Sequence, residues 1–266
     1  MQLIMLGTGE ALVTKCYNTC FAFRSGDEYF LVDAGGGNGI MTRLEEAKIP
    51  YRAIKEMFVT HSHSDHVLGA IWVIRMFAEE MLEGRYPGGF VVRCHDELVN
   101  VINTVCPLIL SPKHMDYVKQ GVRICQVAGG DTINVVGMKV EFFDIHSRKA
   151  KQFGFSAALP DGKKLVCLGD EPFNEDNTRY VENADWLMSE AMCLDSEKDI
   201  YRPYEKFHST ALDAARLAER MHVKNLLLYH TVDNNLAKRR ELYTREAKSV
   251  FGGKVFVPDD GETIDL

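Results

Sequence analysis

The stretch THSHSDHVLG at Thr60–Gly69 concentrates metal-binding side chains in a few positions. It holds three of the nine histidines of the chain and an aspartate, within the hexapeptide HSHSDH at 61–66. Histidines two residues apart do not share one face of a helix, where a spacing of four is needed. Apolar IKEMFV before the cluster predicts a buried strand, and the segment after it predicts a long helix. The histidines therefore fall on a strand-to-helix turn, and we predict that this turn binds zinc, manganese or iron.

One such cluster cannot supply every ligand of a metal site, and three further candidates follow apolar strands elsewhere in the chain. His146 ends VEFFDIH, Asp170 ends KLVCLGD and His230 ends NLLLYH. A single histidine at a strand end is more often structural than functional. Three metal-capable residues that recur after separate buried strands favour a common site instead, because rigid strand ends hold ligands in place.

Composition indicates an ordinary soluble globular protein. Hydrophobic residues make up 46% of the 266 positions and charged residues 26%, and no apolar run approaches the roughly 20 residues that span a bilayer. The start, MQLIMLGTG, predicts a strand and not a signal peptide. Seven cysteines at scattered spacings do not suggest a disulfide framework. We expect reduced, mostly buried thiols and a cytoplasmic location.

The net charge disfavours polyanionic partners. At −7, with a pI of about 5.7, the chain has no general attraction to nucleic acid or anionic membranes. The richest basic runs are Lys238–Arg240 and Arg148–Lys151 (RKAK). We interpret both runs as solvated faces.

Strand and helix patterns alternate along the whole chain, and no low-complexity linker divides it. Short apolar or alternating runs predict strands in QLIMLGTG, CFAFRSGDEYFLVDAGGG, IKEMFVTH, GFVVRCH, MKVEFFDIHS, FSAALPDGKKLVCLGD, ADWLMSEAMC, VKNLLLYHT and KVFVPDD. Helical spacing is found in GIMTRLEEAKI, DHVLGAIWVIRMFAEEML, ELVNVINTVC, STALDAARLAERM and Leu236–Val250. We predict one α/β domain over residues 1–266, with two packed sheets and helices outside.

These motifs resemble those of a known superfamily. HSHSDH at 61–66, preceded by Asp33 in FLVDAGG, is similar to the signature of the metallo-β-lactamase superfamily, and His146, Asp170 and His230 match its later motifs. The segment KFHSTALDAARLAERMHVKNLLLYHT is similar to the ribonuclease Z and phosphodiesterase branch, in which a His-Ser-Thr element precedes the last ligand histidine. The resemblance covers nearly the whole chain and implies a four-layer αββα sandwich of two mixed sheets with helices outside.

The resemblance also implies a dinuclear metal site. One ion would be bound by His61, His63 and His146, and the other by Asp65, His66 and His230, with Asp170 bridging the two ions. Two zinc ions are expected, with manganese or iron as alternatives. A bridging hydroxide would then be available near neutral pH, because coordination lowers the pKa of bound water to about 7.

Two residues are assigned to catalysis by the same resemblance, Asp65 and His208. In the resembling branch the equivalent of His208 faces the substrate phosphate, where it would donate a hydrogen bond or protonate the leaving oxygen. Asp33 would orient the ligands without binding an ion, or it is an ordinary strand-end aspartate. The remaining histidines match no motif and are interpreted as surface or packing residues: His95, His114 and His222.

The sequence differs from the nuclease branch in the length of one segment. Ribonuclease Z enzymes that mature transfer RNA carry a protruding arm that grips the RNA, in many of them between the equivalents of His146 and Asp170. Here that interval spans 24 positions, which two strands and a turn fill. We therefore expect no arm at this place.

Further departures surround the predicted cleft. Glu171 stands where the nuclease branch usually has threonine, and its carboxylate would repel an anionic substrate or act as another ligand or base. Gly84–Phe90 and Asp195–Phe207 are predicted as loops that roof the cleft. The aromatic residues of the second loop would either form a stacking wall or pack against the domain: Tyr201, Tyr204 and Phe207.

The leading functional hypothesis is a dinuclear metal-dependent phosphodiesterase for a small or nucleotide-like phosphodiester. The alternatives are transfer RNA 3′ processing as a ribonuclease Z, hydrolysis of thioesters, glyoxalase-type substrates or lactones at the same site, and a non-catalytic binding or sensor protein on the same scaffold. Transfer RNA is the less favoured partner, because its binding is driven by phosphate neutralisation. No membrane partner is expected, and a homodimer is implied only by analogy with the branch.

Overall fold

Fourteen strands form two seven-stranded sheets in a computed structural model that describes residues 1–266. The strands are β1 (Gln2–Gly7), β2 (Cys20–Ser25), β3 (Glu28–Val32), β4 (Ile54–Phe58), β5 (Phe90–Cys94), β6 (Val122–Gln126), β7 (Thr132–Val135), β8 (Met138–Asp144), β9 (Phe153–Ala158), β10 (Lys164–Cys167), β11 (Trp186–Glu190), β12 (Asn225–Tyr229), β13 (Lys254–Phe256) and β14 (Thr263–Asp265). The first sheet has the order β14-β1-β2-β3-β4-β5-β6, and the second has the order β13-β12-β11-β10-β9-β8-β7.

Eight helices connect the strands. They are α1 (Gly39–Glu46), α2 (Ser64–Leu82), α3 (Asp96–Ile109), α4 (Pro112–Gly121), α5 (Thr178–Val181), α6 (Lys198–Tyr201), α7 (Ala211–Arg220) and α8 (Arg239–Lys248). Thr210 and Asp213 form a reciprocal capping box at the first turn of α7. No helix of the protein combines the length and apolar character needed to cross a membrane.

Three apolar layers hold these elements together. The central layer lies between the two sheets and is rich in phenylalanine, with Phe58 of β4 packed against Phe142 of β8 at a ring-centroid distance of 4.7 Å. A second layer joins the first sheet to α1, α2, α3 and α4, and a third joins the second sheet to α5, α7 and α8. The predicted four-layer αββα sandwich with two mixed sheets is confirmed.

Parallel pairing brings the carboxyl ends of several strands to one edge of each sheet. In the first sheet β3, β4, β5 and β6 are parallel neighbours, and in the second sheet β10, β11, β12 and β13 are. Strand β8 has the direction of β10, since both pair antiparallel with β9. The residues that follow these strands therefore gather at a common edge, where open α/β sheets usually bind ligands.

Six elements of the structure were not predicted from the sequence. Helix α4 begins with Pro112, helices α5 and α6 have only four residues each, and the short strands β6, β7 and β14 lie at sheet edges, where the apolar pattern is weak. The two predicted strands between residues 146 and 170 are confirmed as β9 and β10, which fill that interval together with their short connections.

Close packing fixes the amino-terminal turns of α2 against the turn after β3. The backbone N–H of Gly69 donates to the carbonyl of Gly35 at 2.8 Å. A Cβ at position 69 would lie 1.8 Å from the carbonyl oxygen of Ala34, so only glycine allows this approach. The histidine cluster precedes this contact directly, and its position depends on it.

We predict that Gly69→Ala lowers the free energy of unfolding by about 1–3 kcal/mol, the usual cost of overpacking. The matched control is Gly37→Ala, where an added Cβ meets no atom within 4 Å. Urea denaturation of both variants in the presence of a chelator measures the difference without a metal contribution. Equal stability of the two variants would show that α2 adjusts freely.

Candidate metal centre

The strand ends at the common edge turn through an uncommon backbone conformation. Asp33 after β3, His146 after β8 and His230 after β12 have φ values of 54°, 60° and 58°, and Gly169 after β10 has 78°. Left-handed φ is unfavourable for residues other than glycine, so tertiary contacts must stabilise it. The turn redirects the chain immediately after each strand, at the edge where the predicted ligands gather.

Asp170 lies at the centre of the predicted ligands. Its Oδ2 atom is 3.4 Å from Nε2 of His61, 3.6 Å from Nε2 of His66 and 3.6 Å from Nε2 of His230. All four side chains are buried. The first sheet and α2 contribute His61 and His66, whereas the second sheet contributes Asp170 and His230, so the centre joins the two halves of the sandwich.

His66 offers an unpartnered nitrogen to this centre. Its Nδ1 donates to Oδ2 of Asp33 at 2.8 Å, as predicted for an orienting aspartate. Its Nε2 is buried without a hydrogen-bond partner, 3.3 Å from Oδ2 of Asp65. A buried polar atom without a partner is costly, and a cation between the imidazole and the carboxylates would satisfy it.

Hydrogen bonds to the Nδ1 atoms of His61 and His230 indicate that Nε2 is the nitrogen available to a metal ion. The Thr60 hydroxyl donates to Asp33 Oδ2, so at 3.0 Å it can only accept from Nδ1 of His61. The Thr19 hydroxyl donates to the carbonyl of Gly9 and likewise accepts from Nδ1 of His230 at 2.9 Å. His230 thus directs an Nε2 lone pair towards Asp170, and the Thr60 contact favours the same tautomer for His61, the arrangement found in histidines that bind metals.

Burial and charge set the protonation of these groups. Burial holds the pKa of His61 well below its usual value and lowers the pKa of His230 to about 3, so both are neutral and can act as ligands. Burial alone would raise the pKa of Asp170, but the positive potential of the surrounding imidazoles and of the Lys149 ammonium group holds that pKa well below the usual range. Burial would lower the pKa of His66, and Asp33 with Asp65 raises it instead.

Gln152 belongs to the site and was not predicted. Its side chain is buried, and its Nε2 donates to Oδ1 of Asp170 at 2.5 Å and lies 2.9 Å from Nδ1 of His61. Glutamine between two strands gives no sequence signal for such a role. His63 is half-buried next to this group, with Nδ1 2.9 Å from Nε2 of His61.

His146 is the predicted ligand that the structure does not bring to the centre. Its side chain is exposed, and its backbone N–H donates to Oδ1 of Asp144. The groups whose ligand atoms lie within 4.8 Å of one another are His61-His66-Asp170, Asp65-His66-His230 and Asp170-His208-His230. The roles of His63 and His146 as ligands stay predictions.

His208 stands beside the centre with an unpredicted partner. Its ring centroid is 5.3 Å from that of His230, and its Nδ1 is 3.6 Å from Oε2 of Glu190. Glu190, fully buried at the end of β11, accepts hydrogen bonds from the backbone N–H and the hydroxyl of Ser209. Burial would lower the pKa of His208, but Glu190 raises it, which favours an imidazolium that can donate a proton.

The two loops that were predicted to roof the cleft lie in different parts of the structure. Gly84–Phe90 connects the end of α2 to the start of β5 and bonds to Gly121 before β6. The prediction that it roofs the cleft is wrong, because the crossover returns the chain to the opposite edge. Asp195–Phe207 does precede His208. Tyr201 packs beside Val232, the Tyr204 hydroxyl donates to Asp213, and Phe207 is exposed.

Comparison with known proteins agrees with this geometry. Ribonuclease Z from Natronomonas pharaonis is 26% identical over 312 aligned residues, which cover 100% of this chain and 98% of that protein. The metallo-β-lactamase fold protein YhfI from Bacillus subtilis has a TM-score of 0.81 at 18% identity, covering 99% of this chain and 98% of its own. The short form of human tRNase Z has a TM-score of 0.76 at 21% identity, covering 100% and 99%.

Fold and site together define a metal-dependent hydrolase of the metallo-β-lactamase superfamily, in its ribonuclease Z and phosphodiesterase branch. The cluster of imidazoles and carboxylates suits divalent metal ions. More narrowly, the chain belongs to the family described as Anti-Pycsar protein Apyc1, whose family model matches residues 1–248.

We predict that Asp33→Asn weakens metal binding about 10- to 100-fold, the usual effect of losing a partner that orients a ligand. The amide nitrogen cannot accept from His66 or Thr60, whereas asparagine tolerates the left-handed φ of this position. Competition with a chromophoric chelator measures the affinity. Asp27→Asn, in the exposed turn between β2 and β3, is the control. An unchanged affinity in the Asp33 variant would reject the orienting role.

Proposed function

We propose that the protein is a phosphodiesterase that uses two divalent metal ions, preferably zinc, on a small or nucleotide-like phosphodiester. The observation that carries the proposal is the convergence of three imidazole Nε2 atoms on Asp170 Oδ2, with the His208–Glu190 pair at its side. The imidazole lone pairs and the carboxylate oxygen that they face repel each other unless a cation lies between them. The donor set thus fits metal ions on chemical grounds.

The predicted ligands would hold two ions, and Asp170 would contribute its carboxylate to both. His61 and His63 would hold one ion together with His146, and Asp65, His66 and His230 would hold the other. Divalent ions at these positions supply Lewis acidity, which activates water near neutral pH and stabilises negative charge on a phosphoryl group. Neutral histidines suit zinc, and manganese or iron are the alternatives.

The contribution of the chain itself to bond cleavage would lie mainly with His208. Glu190 lies on the Nδ1 side of the imidazole, so Nε2, which lies 3.4 Å from Nζ of Lys149, would be the nitrogen that faces the substrate. From there His208 would donate a hydrogen bond to the phosphoryl group or a proton to the leaving oxygen. Asp65, 3.3 Å from Nε2 of His66, would act as a ligand and help to position the attacking water.

Metal-dependent hydrolysis of phosphodiesters is the direct test. We predict that metal-loaded protein cleaves aryl and cyclic nucleotide phosphodiesters, that dialysis against a chelator abolishes turnover, and that zinc restores it. Thioesters and lactones tested in parallel should react slowly or not at all. His222→Ala, at an exposed histidine outside the site, is the control variant and should retain full activity. Preferential turnover of thioesters or lactones would overturn the proposal, as would metal-loaded protein that hydrolyses nothing.

Removal of His208 should affect substrates according to their leaving group. For His208→Ala we predict a loss of about 100-fold or more on alkyl phosphodiesters, a usual contribution of acid catalysis. The loss on p-nitrophenyl diesters should be much smaller, because that leaving group needs no proton. The ratio of the two losses is the measured quantity. Equal losses would contradict proton donation and would leave His208 a role in binding alone.

Processing of precursor transfer RNA is the second candidate, and the relatives named Ribonuclease Z favour it. Against it, the interval after His146 contains only β9 and β10 besides short connections, and the net charge is −7. A gel-shift titration at low salt decides between them. Binding of precursor transfer RNA that weakens steeply with added salt supports the nuclease, and absence of a shift supports a small substrate.

A further inference from the structure

The basic run Arg148–Lys151 divides between two environments. Nζ of Lys151 donates to Oδ1 of Asp96 at 2.6 Å, at the first residue of α3. Lys149 is more deeply placed, with 17% of its side chain exposed, and its Nζ lies 3.4 Å from Nε2 of His208. The interpretation of the run as a solvated face is therefore wrong for Lys149, whose ammonium group borders the candidate metal centre.

Glu171 holds the segment that carries Lys149. Its buried carboxylate accepts from the Ser147 hydroxyl at 2.5 Å and from the backbone N–H of Arg148 at 3.3 Å, and lies 3.7 Å from Nζ of Lys149. The Ser147 hydroxyl in turn accepts from the backbone N–H of Lys149. Glu171 is thus occupied by hydrogen-bond donors and a cation, and it belongs to none of the metal-capable groups.

Lys149 and His208 form a pair of donors with a carboxylate behind each. Glu171 lies behind the ammonium group, and Glu190 lies behind the imidazole. Nζ of Lys149 and Nε2 of His208 lie 3.4 Å apart, so one incoming atom can reach both. A phosphoryl oxygen at that place can accept a hydrogen bond from both groups.

We propose that Lys149 determines specificity by binding a non-bridging phosphoryl oxygen of the substrate together with His208, and that Glu171 is the positioning residue that holds Lys149 there. The inference rests on the proposed phosphodiesterase function and extends it. An anionic phosphodiester satisfies the two donors, whereas a neutral thioester or lactone brings no matching charge. Glu171 thereby favours an anionic substrate by fixing a cation, the opposite of the repulsion expected from its charge alone.

The test compares Lys149→Met, Lys149→Arg and Lys151→Met as metal-loaded proteins. Turnover of bis(p-nitrophenyl) phosphate gives KM and kcat, and calorimetry gives the dissociation constant for inorganic phosphate. We expect Lys149→Met to raise both KM and that dissociation constant about 10- to 100-fold, the usual worth of a charged hydrogen bond, with a smaller change in kcat. Lys149→Arg should recover most of the loss, and Lys151→Met should stay within about twofold of the parent protein.

An unchanged KM and unchanged phosphate affinity in Lys149→Met would overturn the inference. Metal content and thermal unfolding are measured alongside, and Lys149→Gln replaces the methionine variant if the latter folds poorly. If the parent protein cleaves no diester, the proposed function fails, whereas phosphate calorimetry still tests Lys149 by itself. The two failures are therefore distinguishable.

The positioning role of Glu171 has a separate readout. Glu171→Gln should raise KM in the parent protein but have no further effect in the Lys149→Met background, because its contribution passes through Lys149. Equal losses in the two backgrounds would reject this role and indicate a general structural effect.

Discussion

The rest of the site is organised around the buried carboxylate of Asp170. A carboxylate without solvent is strongly unfavourable unless positive charge or hydrogen-bond donors compensate it. Here one donor comes from Gln152 and three imidazoles surround the other oxygen. Each imidazole is fixed from behind, by Asp33, Thr60 or Thr19. The geometry is thus prepared before any cation enters.

The sandwich fold explains why so few residues are needed to form the site. Parallel strands place their carboxyl ends at one edge of each sheet, and the central phenylalanine layer holds the two edges together. Left-handed residues after β3, β8 and β12 redirect the chain at that edge. The packing of three apolar layers offsets the cost of the unfavourable backbone conformations and of the buried charge, so the fold supports a site that would not be stable alone.

Short-range patterns account for what could be predicted. The cluster at 61–66 lies within one turn, and Asp170 and His230 end clear apolar strands, so their convergence follows from the αββα fold. Gln152, Glu190 and Lys149 escaped prediction because their roles depend on contacts between distant segments. Glu190 did leave one signal, as a charged residue at the end of an apolar strand that reaches the same edge. The prediction for Gly84–Phe90 was wrong because the position of this loop depends on the direction in which the chain crosses from α2 to β5. The composition of a loop does not indicate that direction.

In the proposed function, substrate choice would depend on a second group of residues beside the centre, where His208 and Lys149 each have a carboxylate behind them. The proposed function depends first on the presence of two metal ions at Asp170. Anomalous diffraction from crystals grown with zinc tests it most directly. We expect two peaks about 3.5–4 Å apart that flank the Asp170 carboxylate, one next to His61 and the other next to His66 and His230. A single peak, or none within bonding distance of Asp170, would contradict it.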